Sequence, residues 1–168
     1  MDTLLVLTTG GTLDKVYFDA LSDFQVGDPV VADILTSMNV AFEFNVQEIC
    51  RKDSLELTDT DRMSMGQAIK ASDGKFILLT HGTDTMVDSA TYLKKQGIGE
   101  QTGQVIIFTG AMEPSRFTNS DATFNIGLAI GAMSVAQPGI YIAMSGKVYE
   151  ASKVVKNYDS RRFEADAK

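Results

Sequence analysis

Four short apolar runs dominate the pattern along the chain. They are Leu4 to Leu7, Phe76 to Leu79, Val105 to Phe108 and Ile140 to Met144. Each is too short for a helix and is followed by glycine or hydroxyl residues, which is the pattern of strands buried on both faces. A fifth strand is expected where Phe42, Phe44 and Val46 alternate with polar residues, ending near Cys50. Between these strands lie helix signals. Pro29 suits the first turn of a helix running through Met38. Thr58 with Asp61 forms a capping box that opens a helix to about Ala71, and Thr85 with Asp88 repeats the pattern before a helix that Gly97 can end. A further helix fits Asp121 to Val135, with Pro138-Gly139 after it. Residues Leu13 to Asp28 show no clear period and read as a loop. The charged tail from Lys153 to Lys168 is expected to fray in part.

Strands alternating with helices imply an α/β fold: a mostly parallel, doubly wound (Rossmann-like) sheet with helices on both faces. The chain has 168 residues, which suits one domain spanning 1–168. No repeat, low-complexity tract or linker interrupts it. The formal net charge of -7 disfavours phosphate backbones and anionic lipid, so neither nucleic acid nor membrane is an expected partner. One cysteine, Cys50, cannot form an internal disulfide, and with the single His81 it is too little for a zinc site. The chain has no apolar run of membrane-spanning length and no basic start of a signal peptide at Met1-Asp2-Thr3, so a soluble cytoplasmic protein is expected.

In such sheets ligands bind beyond the carboxyl ends of the strands. The segments there are Thr8-Thr9-Gly10-Gly11-Thr12, Arg51-Lys52-Asp53-Ser54, Thr80-His81-Gly82-Thr83-Asp84, Thr109-Gly110-Ala111-Met112 and Ser145-Gly146-Lys147. All are rich in hydroxyls, glycine or charge. Two adjacent glycines allow a sharp turn whose N–H groups can face an oxyanion, with the Thr12 hydroxyl beside them as a nucleophile. The bland alternative is a strand-to-loop turn closed by a capping threonine. Thr83, Asp84 and Thr85 crowd one glycine; capping explains one of them but not all three. Thr83 can donate to or attack a carbonyl, and Asp84 can hold an ammonium. His81 invites a Ser–His–Asp reading, but a lone histidine at a sheet end is more often structural. A hydroxyl nucleophile then needs a lysine, a tyrosine or water to take its proton. Lys147, Lys153 and Lys156 all follow the last strand, and spacing does not choose among them. The chain has neither a P-loop nor a dinucleotide fingerprint, which disfavours nucleotide chemistry.

Thr8-Thr9-Gly10-Gly11-Thr12 and Leu79-Thr80-His81-Gly82-Thr83-Asp84-Thr85-Met86 resemble the two signature motifs of the bacterial-type L-asparaginases. Thr109-Gly110-Ala111-Met112-Glu113-Pro114, followed by Ser120-Asp121 and Asn125, resembles a third block of that family. The resemblance runs from Leu4 to about Lys156, in family order. It implies hydrolysis of the side-chain amide of L-asparagine, with glutamine often a weaker substrate, and no metal or organic cofactor. By the same resemblance Thr12 is the nucleophile that forms an acyl-enzyme, and Thr83, Asp84 and Lys156 form the second catalytic set. Ser54 holds the substrate α-carboxylate with Asp53 beside it, and Asp84 holds the α-ammonium. The Ala111 carbonyl faces the amide, and Gly11 and Gly82 border the pocket.

Two departures stand out. Family members carry a C-terminal domain, often lending an acidic group to a neighbouring subunit's site, that this chain is expected to do without. The chain is therefore expected to be a short, single-domain form that covers its exposed edges as a homodimer or homotetramer. The mobile-loop tyrosine that activates the nucleophile falls near Phe24, which has no hydroxyl, and Tyr17 is the candidate substitute. Three rival readings remain: an amidohydrolase acting on glutamine or another amide, a binding protein that keeps the amino-acid pocket without turnover, and a fragment of a longer enzyme. The ending from Arg161 to Lys168 reads as a natural C-terminus.

Overall fold

The structure, a computed structural model, describes residues 1, 3–18 and 22–166. In chain order the strands and helices are β1 (Thr3–Gly10), β2 (Lys15–Phe18), β3 (Asp23–Val26), α1 (Val31–Ser37), β4 (Glu43–Lys52), α2 (Asp59–Ala71) and β5 (Phe76–Thr80). Then follow α3 (Met86–Lys95), β6 (Val105–Thr109), α4 (Ala122–Met133), β7 (Gly139–Met144), β8 (Lys147–Glu150), β9 (Val154–Asn157) and β10 (Arg162–Ala165). Six strands form the central sheet in the order β4-β1-β5-β6-β7-β8. Its first five strands are parallel, and β8 closes the edge antiparallel to β7.

The apolar runs build this sheet because both of its faces are covered. Leu7, Ile77, Leu79, Ile106, Phe108 and Ile142 join one core with Met65 and Ile69 of α2 and Met86, Ala90 and Leu93 of α3. The alternate positions Leu4, Val6, Leu78, Val105 and Ile107 face a second core with Val31 and Leu35 of α1 and Ile126, Ala129 and Met133 of α4. The two-residue period of the strands thus sorts one continuous apolar run between two helical layers. β4 lies at the edge, and its largely exposed, charged surface is the kind that discourages further pairing. Its register slips against β1, with Thr8 opposite Glu48 but Gly10 opposite Lys52. This bulge breaks the apolar alternation near Ile49-Cys50, yet the strand continues to Lys52.

Helix starts follow side-chain chemistry in one case and depart from it in two. Thr58 and Asp61 form the expected reciprocal capping box of α2. Thr85 precedes α3 without capping it; its hydroxyl instead donates to the Ser54 carbonyl at 2.7 Å. The first helix begins at Val31 rather than at Pro29, because the Val30 N–H donates to the buried Asp14 carboxylate at 2.9 Å. Gly97, with φ of 73°, follows α3 as expected.

Two segments expected to be irregular are ordered. A single 3-10 turn over Thr12–Asp14 and the β2–β3 hairpin occupy most of the stretch read as a loop; Asp19, Ala20 and Leu21 lie outside the described residues. The tail, expected to fray from Lys153, forms β9 paired antiparallel to β10, with Phe163 buried in the first core. Ala167 and Lys168 lie outside the described residues. Among the described residues, no helix is long and apolar enough to cross a membrane.

Candidate active site

The loops that follow β1, β4 and β5 meet through glycines. Gly11 has φ of 90°, a region that L-residues avoid, and a Cβ there would run into the Gly82 backbone. A Cβ on Gly82 would in turn stand 2.7 Å from the Ser54 Cβ. The Gly11 N–H donates to the Lys52 carbonyl at 3.0 Å, locking the first loop to the end of β4. This close stacking brings Thr12, Ser54 and Thr83 to one edge of the sheet. Thr12 is half-buried, and its hydroxyl makes no hydrogen bond among the described residues.

Lys156 comes to this edge from β9. Its ammonium donates to the Thr83 hydroxyl at 2.8 Å and to the Asp84 carboxylate at 2.6 Å. Thr83 and Lys156 are largely buried, while Asp84 keeps about a third of its side-chain exposure. The other two candidate lysines go elsewhere. Lys153 pairs with Glu150 at 2.9 Å on the surface, and Lys147 is exposed on β8. The local fold thus singles out one of three lysines among which spacing does not choose.

Ser54 is buried at the start of a one-turn helix, Ser54–Glu56. Asp53 caps that turn, accepting from the Leu55 N–H, and pairs with Lys15 of β2 at 2.7 Å. Burial pushes the Asp53 carboxyl up, but the Lys15 contact and the backbone donors outweigh it and hold the group below its ordinary value. Asp53 therefore ties the hairpin to the loop that carries Ser54.

Ala111 lies buried after β6, and two side chains hold its loop. Asp121 accepts from the Met112 and Glu113 N–H groups at 2.9 and 3.1 Å. Asn125 donates to the Gly110 carbonyl and to Asp121, and accepts from the Ser145 N–H at 3.1 Å. Asn125 is fully buried, so each of these bonds replaces water that cannot reach it. The sequence places Asp121 and Asn125 four residues apart, the spacing that puts both on one helix face, but it does not say what they hold.

His81 is fully buried away from this constellation. One ring nitrogen, Nδ1, meets the Gly82 carbonyl at 2.7 Å, and the other, Nε2, meets the Ser89 hydroxyl at 2.8 Å. Arg62 donates to the same Ser89 oxygen at 3.1 Å. The directions follow from the inventory of donors. The Gly82 carbonyl only accepts, so Nδ1 carries the proton; Ser89 accepts from Arg62 and donates to Nε2. Burial pushes the histidine pKa down to about 4. His81 is a neutral structural brace: the serine on its Nε2, Ser89, is fully buried within α3 and also accepts from Arg62, and among the described residues Nδ1 meets a backbone carbonyl rather than a carboxylate.

Tyr17 stands apart. It lies half-exposed on β2, directly across the hairpin from Phe24, with ring centroids 5.5 Å apart. Phe24 in turn meets Phe117 at 6.0 Å. Tyr17 makes no hydrogen bond to Thr12 among the described residues, but it does share the hairpin face with Phe24. Two residues near the site escape sequence reasoning. Asp14 is buried two positions after Thr12, and its Oδ2 finds no hydrogen-bond partner among the described residues. Tyr158 lies over Lys156, with the ammonium 4.8 Å from the ring centroid.

The assembled edge has a free hydroxyl after a glycine turn and a hydroxyl–ammonium–carboxylate cluster at its side. A buried serine and a braced carbonyl loop complete it. These are the parts needed for nucleophilic attack on a carbonyl of a small polar molecule. Residues 3–165 match the family model described as Asparaginase, N-terminal. The L-asparaginase of Thermococcus kodakarensis is 29% identical over 164 residues, covering 91% of this chain and 47% of that protein. A glutamyl-tRNA(Gln) amidotransferase chain of Thermoplasma acidophilum is 32% identical over 132 residues, covering 74% of this chain and 31% of its own length. A solved structure of the thermostable Thermococcus kodakarensis enzyme superposes with a TM-score of 0.81 at 25% identity, covering 97% of this chain and 51% of that one. The chain spans about half the length, or less, of these relatives. It belongs to the asparaginase family, matching the N-terminal part.

Proposed function

We propose that this chain hydrolyses the side-chain amide of L-asparagine to L-aspartate and ammonia through an acyl-enzyme on Thr12. The observation that carries this reading is the return of Lys156 from β9 to Thr83 and Asp84 beside the Gly10-Gly11-Thr12 turn. In this reading the Thr12 oxygen attacks the amide carbon. N–H donors of the Gly11–Thr12 and Thr83 segments face the developing oxyanion. The hydroxyl proton leaves with the ammonia, and water then cleaves the ester beside the Thr83–Lys156–Asp84 cluster. Ser54 holds the α-carboxylate, with Asp53 fixing its loop. Asp84 holds the α-ammonium, and the Ala111 carbonyl accepts from the amide N–H. Gly11 and Gly82 keep the pocket narrow. Tyr17 activates Thr12 in place of the hydroxyl that Phe24 lacks, which requires the hairpin to move toward Thr12.

The test is ammonia release from L-asparagine by the purified protein beside Thr12→Ala. Release by the unchanged protein alone supports the reading, and equal release by both would remove Thr12 from it. The amidotransferase relatives favour a second reading, in which glutamine or another amide is the better substrate; comparing kcat/KM on asparagine and glutamine decides between them. We also propose self-association, to a dimer or tetramer, because the aromatic and aliphatic side chains of Phe124, Val135 and Val148 lie exposed. A monomeric mass in light scattering at micromolar protein would refute it. One half-buried, unpaired cysteine suits a reducing cytoplasm.

A further inference from the structure

The β9–β10 turn is built to stand at the site. Asn157, next to Lys156, accepts from the N–H groups of Asp159 and Ser160 at 2.9 and 3.1 Å and so closes the turn. Glu164 clamps the turn from β10, accepting from Asn157 at 3.0 Å and from Ser160 at 2.6 Å. Phe163 lies opposite Lys156 in register and anchors the hairpin in the core, while the Tyr149 hydroxyl donates to the Phe163 carbonyl at 2.9 Å. At the far end, Arg161 reaches Glu113 of the Ala111 loop at 3.5 Å. A turn so braced carries Tyr158, a residue that is 64% exposed and therefore contributes little to the core. Its ring nevertheless lies over the Lys156 ammonium, 4.8 Å from centroid to nitrogen. Burial, then the charge of the Asp84 carboxylate, push the Tyr158 phenol above its ordinary pKa.

We propose that Tyr158 is a positioning residue for the Lys156–Asp84 pair: its ring closes the solvent side of the pair and holds the ammonium against Thr83. The proposal rests on the asparaginase reading of the site. A cation held over an aromatic face gains about two- to fivefold in population at an exposed site. The ring also excludes water from an ion pair whose carboxylate is partly open, and so keeps the ammonium from drifting into solvent. Tyr158 acts through Lys156 and Asp84 and does not itself touch the reacting atoms.

Two substitutions in the full chain test this, Tyr158→Ala and Tyr158→Phe, with hydrolysis of L-asparagine and acetic anhydride labelling of the lysines as readouts. Tyr158→Ala is expected to lower kcat about three- to tenfold with KM moving less than about twofold, and to speed acetylation of Lys156 about two- to fivefold relative to Lys153. Tyr158→Phe keeps the ring and is expected to restore both values to near those of the unchanged protein. Unchanged kcat in Tyr158→Ala, or a rise in KM alone, would overturn the proposal, as would equal Lys156 labelling in all three proteins. If the unchanged protein releases no ammonia, the functional reading fails, and the labelling result alone decides whether Tyr158 shields Lys156.

Discussion

Asp14→Asn should stabilise this protein at neutral and alkaline pH, and the gain should vanish in acid. Asp14 is buried beside the Thr12 turn, where it closes the base of the hairpin: its Oδ1 accepts from the Val30 N–H at 2.9 Å and its backbone carbonyl from the Gly27 N–H at 2.8 Å. The second oxygen, Oδ2, has no hydrogen-bond partner among the described residues. Burial therefore raises the carboxyl from 3.8 to about 6, against the opposing pull of the Val30 N–H and the Arg51 charge. A raised carboxyl pKa means that the folded state favours the neutral acid. Stability contributed by that neutral form is present below the ordinary value and is lost as pH rises through about 6. Two pKa units at about 1.4 kcal/mol each give a penalty of about 3 kcal/mol once the group is ionised. Asparagine keeps the acceptor for Val30 and carries no charge, but leaves its own amide N–H groups unpaired at a cost of about 1 kcal/mol or more. The net gain at pH 8 is then about 1–2 kcal/mol, falling to zero or below at pH 4. Urea unfolding of both proteins followed by far-UV circular dichroism at the two pH values measures it. The substitution removes one titrating carboxyl, so a difference in stability that is the same at both pH values would refute the reasoning.

Two further substitutions probe the site. Gly11→Ala places a Cβ against the Gly82 backbone at a φ of 90°, so it should cost at least about 1–2 kcal/mol in urea unfolding and suppress ammonia release; wild-type values for both would contradict the glycine stacking. Lys156→Met keeps an unbranched stem one atom shorter but removes the contacts to Thr83 and Asp84, and should lower kcat on asparagine by at least about a hundredfold, with steady-state kinetics as the check.

The parts of the fold legible in the sequence are those whose environment is simplest. β1, β5, β6 and β7 are covered on both faces, so every position prefers an apolar residue and the runs stand out. α2 announces itself because Thr58 and Asp61 satisfy each other locally. The β2–β3 hairpin is hidden because Tyr17, Phe18 and Phe24 are all half-exposed, which leaves no period to read. β8, β9 and β10 have four residues each, mixed in polarity, and their strand character comes from pairing partners rather than from their own composition. Thr85 looks like a cap but serves a loop 31 residues away in sequence. The same logic divides the site. Glycine–hydroxyl segments at strand ends draw attention to Thr12, Thr83 and Asp84, whereas Ser54, in Arg51-Lys52-Asp53-Ser54, is pointed to only by the family resemblance. Spacing alone does not choose Lys156 over Lys147 and Lys153; the family resemblance points to it, and the return of the tail places its ammonium on Thr83 and Asp84. Tyr158 becomes visible only once the β9–β10 turn is built.

The most direct measurement is to quench the protein in acid during turnover of L-asparagine and locate any added aspartyl group by peptide mass spectrometry. An aspartyl ester on Thr12, absent from Thr12→Ala, is the predicted result. Ammonia release with no adduct on Thr12, or with the adduct on another residue such as Thr83, would contradict a Thr12 nucleophile.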